Sequence, residues 1–373
     1  MIRLLRYWAR VGCQHQILIG DSSDGDHGDL TRAAIAGLKG RLAVRYEPCP
    51  GLITAACFER LSQMVTTPYT TFVADDDFLV PSAIDRCAQH LAAHEECSGV
   101  HGRSLIVDLE QSGAYGPVRS VRRYPQSVIR SSTGVGRLRE YFTTSLAAVV
   151  YAVHRTEDWR DMFRGIINMP WTAKRNIHKE IFRDELLPSA VSVVRGRIVE
   201  LDDLYLVRQA HDGIYRQPDA YDWITDPIWY PSYQAFRDRI IDELISADGV
   251  SGEQAEAVVR EVLEPFLARY MTASWHGSRL SASKVTGPSA RLRAIAKRLR
   301  PLRALRVQLK KWGVLRTRGE NLLVELLSRS SADHAAFLPI YESLTQTEPG
   351  RRAGGSEAPG ASPAASQDEE QAA

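Results

Sequence analysis

The first third of the chain alternates between helical and extended hydrophobic patterns. Leu4, Leu5, Trp8 and Val11 recur at helical spacing and Gly12 follows as a C-cap, which predicts an amphipathic helix at the start of the chain. Short apolar runs typical of strands then alternate with segments of helical spacing. The predicted strands are QILIG, LAVRYEP, YTTFVA and SGVHGRSLIVD, and the predicted helices are LTRAAIAGLKG, LITAACFERLSQMV and PSAIDRCAQHLAAH.

Alternating strands and helices are typical of an α/β fold with a mostly parallel sheet and flanking helices. In such sheets ligands bind outside the carboxyl ends of the strands. Asp21 ends the first predicted strand, and the triplet Asp75, Asp76 and Asp77 ends the third. We therefore expect these carboxylates to face one crevice.

The patterns along the whole chain predict three regions. Residues 1–247 form the α/β domain, because mixed patterns continue to this point. Helical patterns dominate residues 248–345, an extension that contains a basic segment at 291–311. Residues 346–373 are rich in Gly, Pro, Ala and Ser, a composition typical of a disordered tail.

Composition narrows the class of protein only slightly. The hydrophobic share is 44%, the charged share is 25% and the net charge is +2, which fits a globular domain. Five cysteines without a CxxC pair are a poor disulfide framework and favour a reducing, cytoplasmic setting. No apolar run approaches the roughly 20 residues needed to span a membrane.

The stretch TTFVADDDFLVP holds three adjacent carboxylates between apolar residues. Closely packed carboxylates are satisfied by a hard divalent cation such as Mg²⁺ or Mn²⁺, which also binds substrate phosphates. The alternative is an exposed Asp-rich turn before a helix, where Asp side chains bond to the backbone. The position after a predicted strand favours the metal site, whereas the motif is short and common, which favours the turn. Both interpretations therefore stay open.

Three segments together resemble inverting, family-2-like bacterial glycosyltransferases with the GT-A fold. They are ILIGDSSDG, TPYTTFVADDDFLVPSAI and FRDELLPSAVSVVRGRIVELDDLYLVRQAH, in the family's order and within roughly residues 2–213. The resemblance implies transfer of a hexosyl group from a nucleotide-sugar, most often a UDP-sugar, to an acceptor hydroxyl. It also implies a divalent cation, Mn²⁺ or Mg²⁺, as cofactor.

The resemblance further implies roles for individual residues. Asp21 and Ser22 would bind the nucleotide base, and Asp75 would face the ribose or the metal. Asp76 would lie in the same nucleotide site, and Arg208 would pair with phosphate charge. The metal ligands would be Asp77, Asp75 and His211. The catalytic base would be Glu185 or Asp184, because the acceptor hydroxyl must lose a proton as it attacks.

The sequence departs from the family at its start, where no counterpart of the first strand precedes Ile2. This departure predicts that an inner strand lies upstream of Met1. Two alternatives stay open. One is a phosphohydrolase with an Asp nucleophile in FVADDDFLV, although Leu79 stands where that group has Thr or Val and Asp21 has no role. The other is a decayed, non-catalytic transferase that binds membranes.

Residues 291–311 are the strongest charge feature, because no acidic residue occurs between Pro265 and Gly319. A basic helix can lie on the anionic inner face of a membrane, with each basic residue contributing about 1 kcal/mol. This would suit a lipid-linked or cell-envelope polysaccharide acceptor. The competing interpretation is a helix pair with a solvated basic face. No nucleic-acid-binding motif accompanies the basic segment, so nucleic acid is not an expected partner.

Overall fold

The computed structural model describes residues 1–23, 26–143, 148–169, 182–210, 230–283 and 318–346. The strands are β1 (Gln16–Asp21), β2 (Ala43–Pro48), β3 (Tyr69–Thr70), β4 (Phe78–Leu79), β5 (Cys97–Leu109), β6 (Val118–Tyr124), β7 (Val153–Arg155) and β8 (Arg197–Ala210).

Helices flank these strands and form most of the C-terminal part. The helices are α1 (Ile2–Val11), α2 (Asp26–Ala36), α3 (Thr54–Ser62), α4 (Pro81–Ala93), α5 (Gly134–Thr143), α6 (Thr156–Phe163), α7 (Leu187–Arg195), α8 (Tyr230–Asp248), α9 (Gly252–Ser283), α10 (Arg318–Leu327) and α11 (His334–Thr345). Short 3₁₀ turns occur at Val149–Tyr151 and Ile166–Asn168, and a π-helical turn, Phe182–Leu186, precedes α7.

The described strands form two sheets. β1 and β2 pair in parallel as one small sheet, and the other sheet has the order β3-β7-β5-β8-β4, with β6 added beside β5. The long parallel pair β5 and β8 is its centre, and buried side chains such as Val100, Val107, Leu206 and Val207 connect it to the core. These strands place the carboxyl end of β8 beside β4.

The α/β class with flanking helices and a helical C-terminal part is confirmed, and the strand pairing is mixed. Among the described strands only β1·β2 and β5·β8 are parallel, and the pairings of β3, β4, β6 and β7 are antiparallel. β5 and β6 form a hairpin, which needs only a short connection, whereas each parallel pair needs a crossover. The alternation of helical and extended patterns in the sequence does not predict these antiparallel pairings.

The Asp triplet does not end a strand as predicted. β3 stops at Thr70, which pairs with His154 of β7, and the 3₁₀ turn Val149–Tyr151 lies just before β7. Residues 71–74 continue without strand pairing, and the Thr71 hydroxyl contacts the Tyr151 carbonyl oxygen at 3.2 Å instead. The triplet therefore lies in a turn between β3 and β4.

Helix α1 packs its apolar face over β4, as its periodicity predicts. Leu4, Leu5, Tyr7 and Trp8 are buried, and each burial of such a side chain contributes about 2 kcal/mol. The Trp8 indole N–H donates to the carbonyl oxygen of Leu79 at 3.0 Å. Gly12 ends the helix in the left-handed region with φ 70°, a conformation that favours glycine.

The C-terminal helices pack on the α/β part. α10 packs against β6 and α11 against α1, where Arg10 contacts Glu342 at 3.2 Å. Gly116, in the loop between β5 and β6, donates its N–H to the carbonyl oxygen of Leu344 at 2.9 Å. The predicted division at residues 247 and 345 stays a prediction. None of the helices in the described ranges is long and apolar enough to cross a membrane.

Candidate functional site

A tight turn presents the Asp triplet. The N–H of Asp77 donates to the carbonyl oxygen of Ala74 at 3.2 Å, so Asp75 and Asp76 occupy the two central positions. β4 follows at once and pairs antiparallel with β8, with Phe78 opposite Val207. This register places Asp77 beside Arg208, although 131 positions separate them in sequence.

Asp77 is a buried carboxylate, only 1% exposed. Its Oδ2 accepts a hydrogen bond from Arg208 Nε at 2.9 Å, and its Oδ1 accepts one from the Gln209 backbone N–H at 3.1 Å. Burial raises the pKa of Asp77 to about 6, and the charge of Asp76 adds to the effect while Arg208 opposes it. Both oxygens of Asp77 are therefore engaged inside the protein.

Arg208 lies among aromatic side chains. Its guanidinium carbon is 4.9 Å from the centre of the Tyr124 ring and 5.0 Å from that of Tyr151, both cation–π distances. Burial by itself would lower the pKa of Arg208, but Tyr151 and Asp77 raise it above its usual value. The side chain stays 29% exposed, so this cation, unlike Asp77, reaches the surface.

Arg3 is a second guanidinium at the turn, and the sequence did not reveal it. Its Nη2 donates to the carbonyl oxygen of Asp76 at 2.7 Å, and its Nη1 donates to Gln209 Oε1 and to the carbonyl oxygen of Ala114. The side chain is 7% exposed, and burial lowers its pKa. One signal was available, because Arg3 falls four residues before Tyr7, on the apolar face of α1.

The turn presents an accessible carboxylate to a divalent cation, that of Asp75, whose Oδ2 lies 3.4 Å from the Met1 nitrogen. Asp75 has a side chain that is 69% exposed, and its carbonyl oxygen accepts from the Met1 nitrogen at 2.6 Å. Across the described residues, no three or more His, Cys, Asp or Glu side chains come together as a metal site. A cation at this turn would therefore have to be shared between Asp75 and ligand phosphates, which is how Mg²⁺ usually binds.

Asp21 ends β1 with both carboxylate oxygens oriented. The Ser23 N–H donates to Oδ1 at 2.8 Å, and the Tyr46 hydroxyl donates to Oδ2 at 2.8 Å. Arg32 in turn donates to the Tyr46 oxygen at 3.2 Å. Burial would raise the pKa of Asp21, but the hydrogen bonds from Ser23 and Tyr46 hold it below its usual value.

Of the residues around Asp21, the sequence predicted Ser22 but not Tyr46 or Arg32. Ser22 is exposed beside Asp21, as a ligand contact requires. Tyr46 and Arg32 were not predicted, and the parallel register of β1 and β2, with Ile19 opposite Tyr46, is what brings Tyr46 near Asp21. Gly20 allows close packing there, because a Cβ at this position would lie 2.3 Å from Cys57 Sγ. All five cysteines are free thiols, as expected.

The two candidate bases lie on the π-helical turn Phe182–Leu186. Arg183 Nε contacts Asp184 Oδ1 at 2.7 Å, and its Nη2 contacts Oδ2 at 3.0 Å. The side chains of this pair are 1% and 3% exposed, whereas Glu185 is half-buried. The structure therefore distinguishes the two acids, which the sequence left as near equals.

The described contacts bring Asp75, Asp76, Asp77 and Arg208 together. Asp21 and Ser22 lie at the end of the other sheet, and their proximity to the triplet stays a prediction, as does that of Asp184 and Glu185. His211, the basic segment 291–311 and residues 347–373 of the tail lie outside the described residues.

No protein-family model matches the chain, and no curated protein matches it. Solved structures of S. aureus TarS are similar to it. TarS 1-349 in complex with UDP-GlcNAc is 15% identical over 74% of this chain and 70% of that chain, with a TM-score of 0.43. TarS 1-349 in complex with UDP is 14% identical over 74% and 69%, with a TM-score of 0.41. A further TarS structure is 15% identical over 70% and 40%, with a TM-score of 0.40. At these TM-scores the likeness carries no argument for function, which rests on the site itself.

Proposed function

We propose that the chain is a glycosyltransferase that moves a sugar from a nucleotide-diphosphate donor, a UDP-sugar, to an acceptor hydroxyl. The observation that carries this proposal is the partly exposed guanidinium of Arg208 beside the acidic turn Asp75–Asp77. An anionic ligand that also brings a divalent cation would satisfy both charges at once. A nucleoside diphosphate with its metal has this chemistry.

The donor would be held by three groups. Asp21, with a lowered pKa and a fixed orientation, would accept from an N–H of the base beside the exposed Ser22. Asp75 would face the ribose or the cation, and Arg208 would bind the diphosphate. Asp76 contributes to the same nucleotide site through the turn that Arg3 holds.

The cofactor would be Mn²⁺ or Mg²⁺, shared between Asp75 and the diphosphate. Such an ion neutralises the charge that develops on a diphosphate leaving group. Asp77 and His211 stay predicted members of its shell, although Asp77 would first have to release Arg208 or the Gln209 N–H. The chain's own contribution is to orient the cation of Arg208, through Asp77, before the donor arrives.

Glu185 would be the catalytic base for a single displacement that inverts the anomeric centre. A base must reach the hydroxyl whose proton it takes. A hydroxyl could approach Asp184 only by displacing Arg183, which already contacts both of its carboxylate oxygens. Glu185 is the better candidate of the two because it is half-buried, whereas the side chain of Asp184 is only 3% exposed.

Isothermal titration calorimetry tests the donor. The folded full chain is titrated with UDP in Mn²⁺ and in EDTA, and GDP and dTDP serve as competing nucleotides. We expect UDP to bind, with tighter binding in Mn²⁺. A folded protein that binds none of the three nucleotides would exclude the UDP-sugar donor and leave the phosphohydrolase and non-catalytic alternatives.

The acceptor would be a glycan, a lipid-linked molecule or a small molecule, and the enzyme would work in the cytoplasm. Peripheral contact with the inner face of the membrane through residues 291–311 would bring it to a cell-envelope polysaccharide acceptor. Sedimentation with vesicles that contain anionic lipid tests this contact. Binding that does not weaken as salt rises would contradict an electrostatic role for this segment.

A further inference from the structure

We propose that Asp77 is a positioning residue that fixes Arg208, and that Arg208 binds the donor diphosphate directly, without an intervening metal ion. This inference rests on the proposed function and assigns Asp77 a role through a neighbouring side chain. It differs from the expectation that Asp77 ligates the cation.

The difference in burial between the two partners separates their roles. Asp77 is 1% exposed and Arg208 is 29% exposed. A ligand that arrives from solvent therefore meets the guanidinium, while the carboxylate lies behind it. Asp77 contributes by holding Nε at 2.9 Å, which fixes the orientation of the whole planar group.

The guanidinium keeps hydrogen-bonding capacity for a ligand. Within the part of the chain that the structure describes, Arg208 has a hydrogen-bond partner at Nε only. No described residue accepts from its two Nη groups, and a planar fork of this kind matches phosphate oxygens in a bidentate arrangement. The rings of Tyr124 and Tyr151 lie against the group and limit its rotation.

The surroundings of Arg208 are themselves fixed. The carbonyl oxygen of Tyr151 accepts a hydrogen bond from the buried Tyr205 hydroxyl at 2.6 Å. The other oxygen of Asp77 accepts a hydrogen bond from the backbone N–H of Gln209 on β8. The backbone of β8 therefore holds the carboxylate of Asp77, which in turn holds the side chain of Arg208. A cation held this way loses little conformational entropy on binding, which favours affinity.

Binding measured with and without metal tests the assignment. The full-length wild type and the Asp77→Asn, Arg208→Lys and Asp75→Asn variants are titrated with UDP, uridine and inorganic pyrophosphate, each in Mn²⁺ and in EDTA. Circular dichroism establishes that each variant is folded. Arg122→Lys is the matched control, because Arg122 lies on β6 at the surface, 57% exposed.

We expect Asp77→Asn and Arg208→Lys to weaken UDP and pyrophosphate binding about tenfold in EDTA as well as in Mn²⁺, the size of one lost charge-assisted hydrogen bond. Uridine binding should stay unchanged, because uridine has no phosphate. Asp75→Asn should weaken UDP binding in Mn²⁺ alone, and Arg122→Lys should match wild type.

Several results would overturn the positioning role. A loss in Asp77→Asn that disappears in EDTA would make Asp77 a metal ligand like Asp75. Wild type that binds neither UDP nor pyrophosphate in EDTA would remove the direct contact of Arg208. Pyrophosphate binding without UDP binding would instead leave this site intact and exclude the proposed nucleotide donor. If Asp77→Asn does not fold, Tyr124→Leu replaces it, with a severalfold loss for UDP in EDTA expected and wild-type affinity contradicting the role.

Discussion

The ion pair of Arg183 and Asp184 gives the sharpest prediction, because it separates a structural acid from a catalytic one. The pair is bidentate and almost inaccessible, with side chains 1% and 3% exposed. Removing one partner of a buried pair leaves an uncompensated charge and costs about 3–5 kcal/mol. Asp184→Asn keeps the shape and one acceptor oxygen, so we expect a loss near the lower end, about 3 kcal/mol.

A loss of this size is large beside a total stability of about 5–15 kcal/mol. At about 2 °C for each kcal/mol in a chain of this length, the Tm should fall by about 6 °C. Glu185→Gln should cost no more than about 1 kcal/mol, because Glu185 is only half-buried. Glu157→Gln on α6 is the matched control, since it removes the same charge at an exposed position.

Thermal unfolding followed by circular dichroism at pH 7 measures the three variants beside wild type. Donor turnover, measured at a temperature where every variant is folded, gives the second readout. We expect Glu185→Gln to lower kcat by about 10²-fold or more, the usual contribution of a general base. Asp184→Asn should keep most of its turnover.

Two outcomes would refute this reasoning. An Asp184→Asn protein that melts with wild type would show that the pair contributes little to folding. A Glu185→Gln protein with normal turnover would show that Glu185 is not the base, whatever its stability.

Three further predictions follow from single contacts. Tyr46→Phe removes the hydroxyl that orients Asp21, so calorimetry should show UDP and uridine binding weakened about equally, by several-fold; unchanged affinities would contradict the positioning. The pKa of the buried His154 is lowered to about 4, mainly by burial, so the unfolded state takes up the proton first and the free energy of unfolding falls as pH drops from 6.5 to 4. Urea unfolding at pH 7 and pH 4 should differ by about 3 kcal/mol more in wild type than in His154→Gln, and equal differences would exclude His154 as the cause. Trp8→Phe leaves the buried carbonyl oxygen of Leu79 without its indole donor and should cost about 1–3 kcal/mol in urea unfolding, whereas a cost near zero would show that water replaces the bond.

The sequence predicted the elements whose signal is local. The structure confirms the periodicity of α1 with its glycine C-cap, and the apolar run of β1 up to Asp21. These elements are predictable because the spacing of apolar residues close together in sequence determines which face is buried. Strand pairing was not recoverable in the same way. β5 and β8 are about 100 positions apart, and nothing in either strand specifies its partner or the direction of the pairing.

The same distinction applies to the site. The Asp triplet and Asp21 are charged residues beside apolar runs, so they can be identified from the sequence. Arg3 and Tyr46 carry no such mark, because each becomes part of a site only when another segment packs beside it. Arg208 was found through the resemblance, but its partner Asp77 and the flanking tyrosines required the register of β4 on β8.

The contacts of Arg3 and Arg208 explain how the chain tolerates three adjacent carboxylates in apolar surroundings. Each guanidinium comes from a distant segment, and together they offset part of the charge at the turn. The compensation is incomplete, because burial still raises the pKa of Asp77 to about 6. Charge held at such a cost is typical of a binding site. A ligand that brings a cation to Asp75 and phosphate to Arg208 would complete it and stabilise the fold by mass action, so the Tm should rise with UDP and Mn²⁺ concentration.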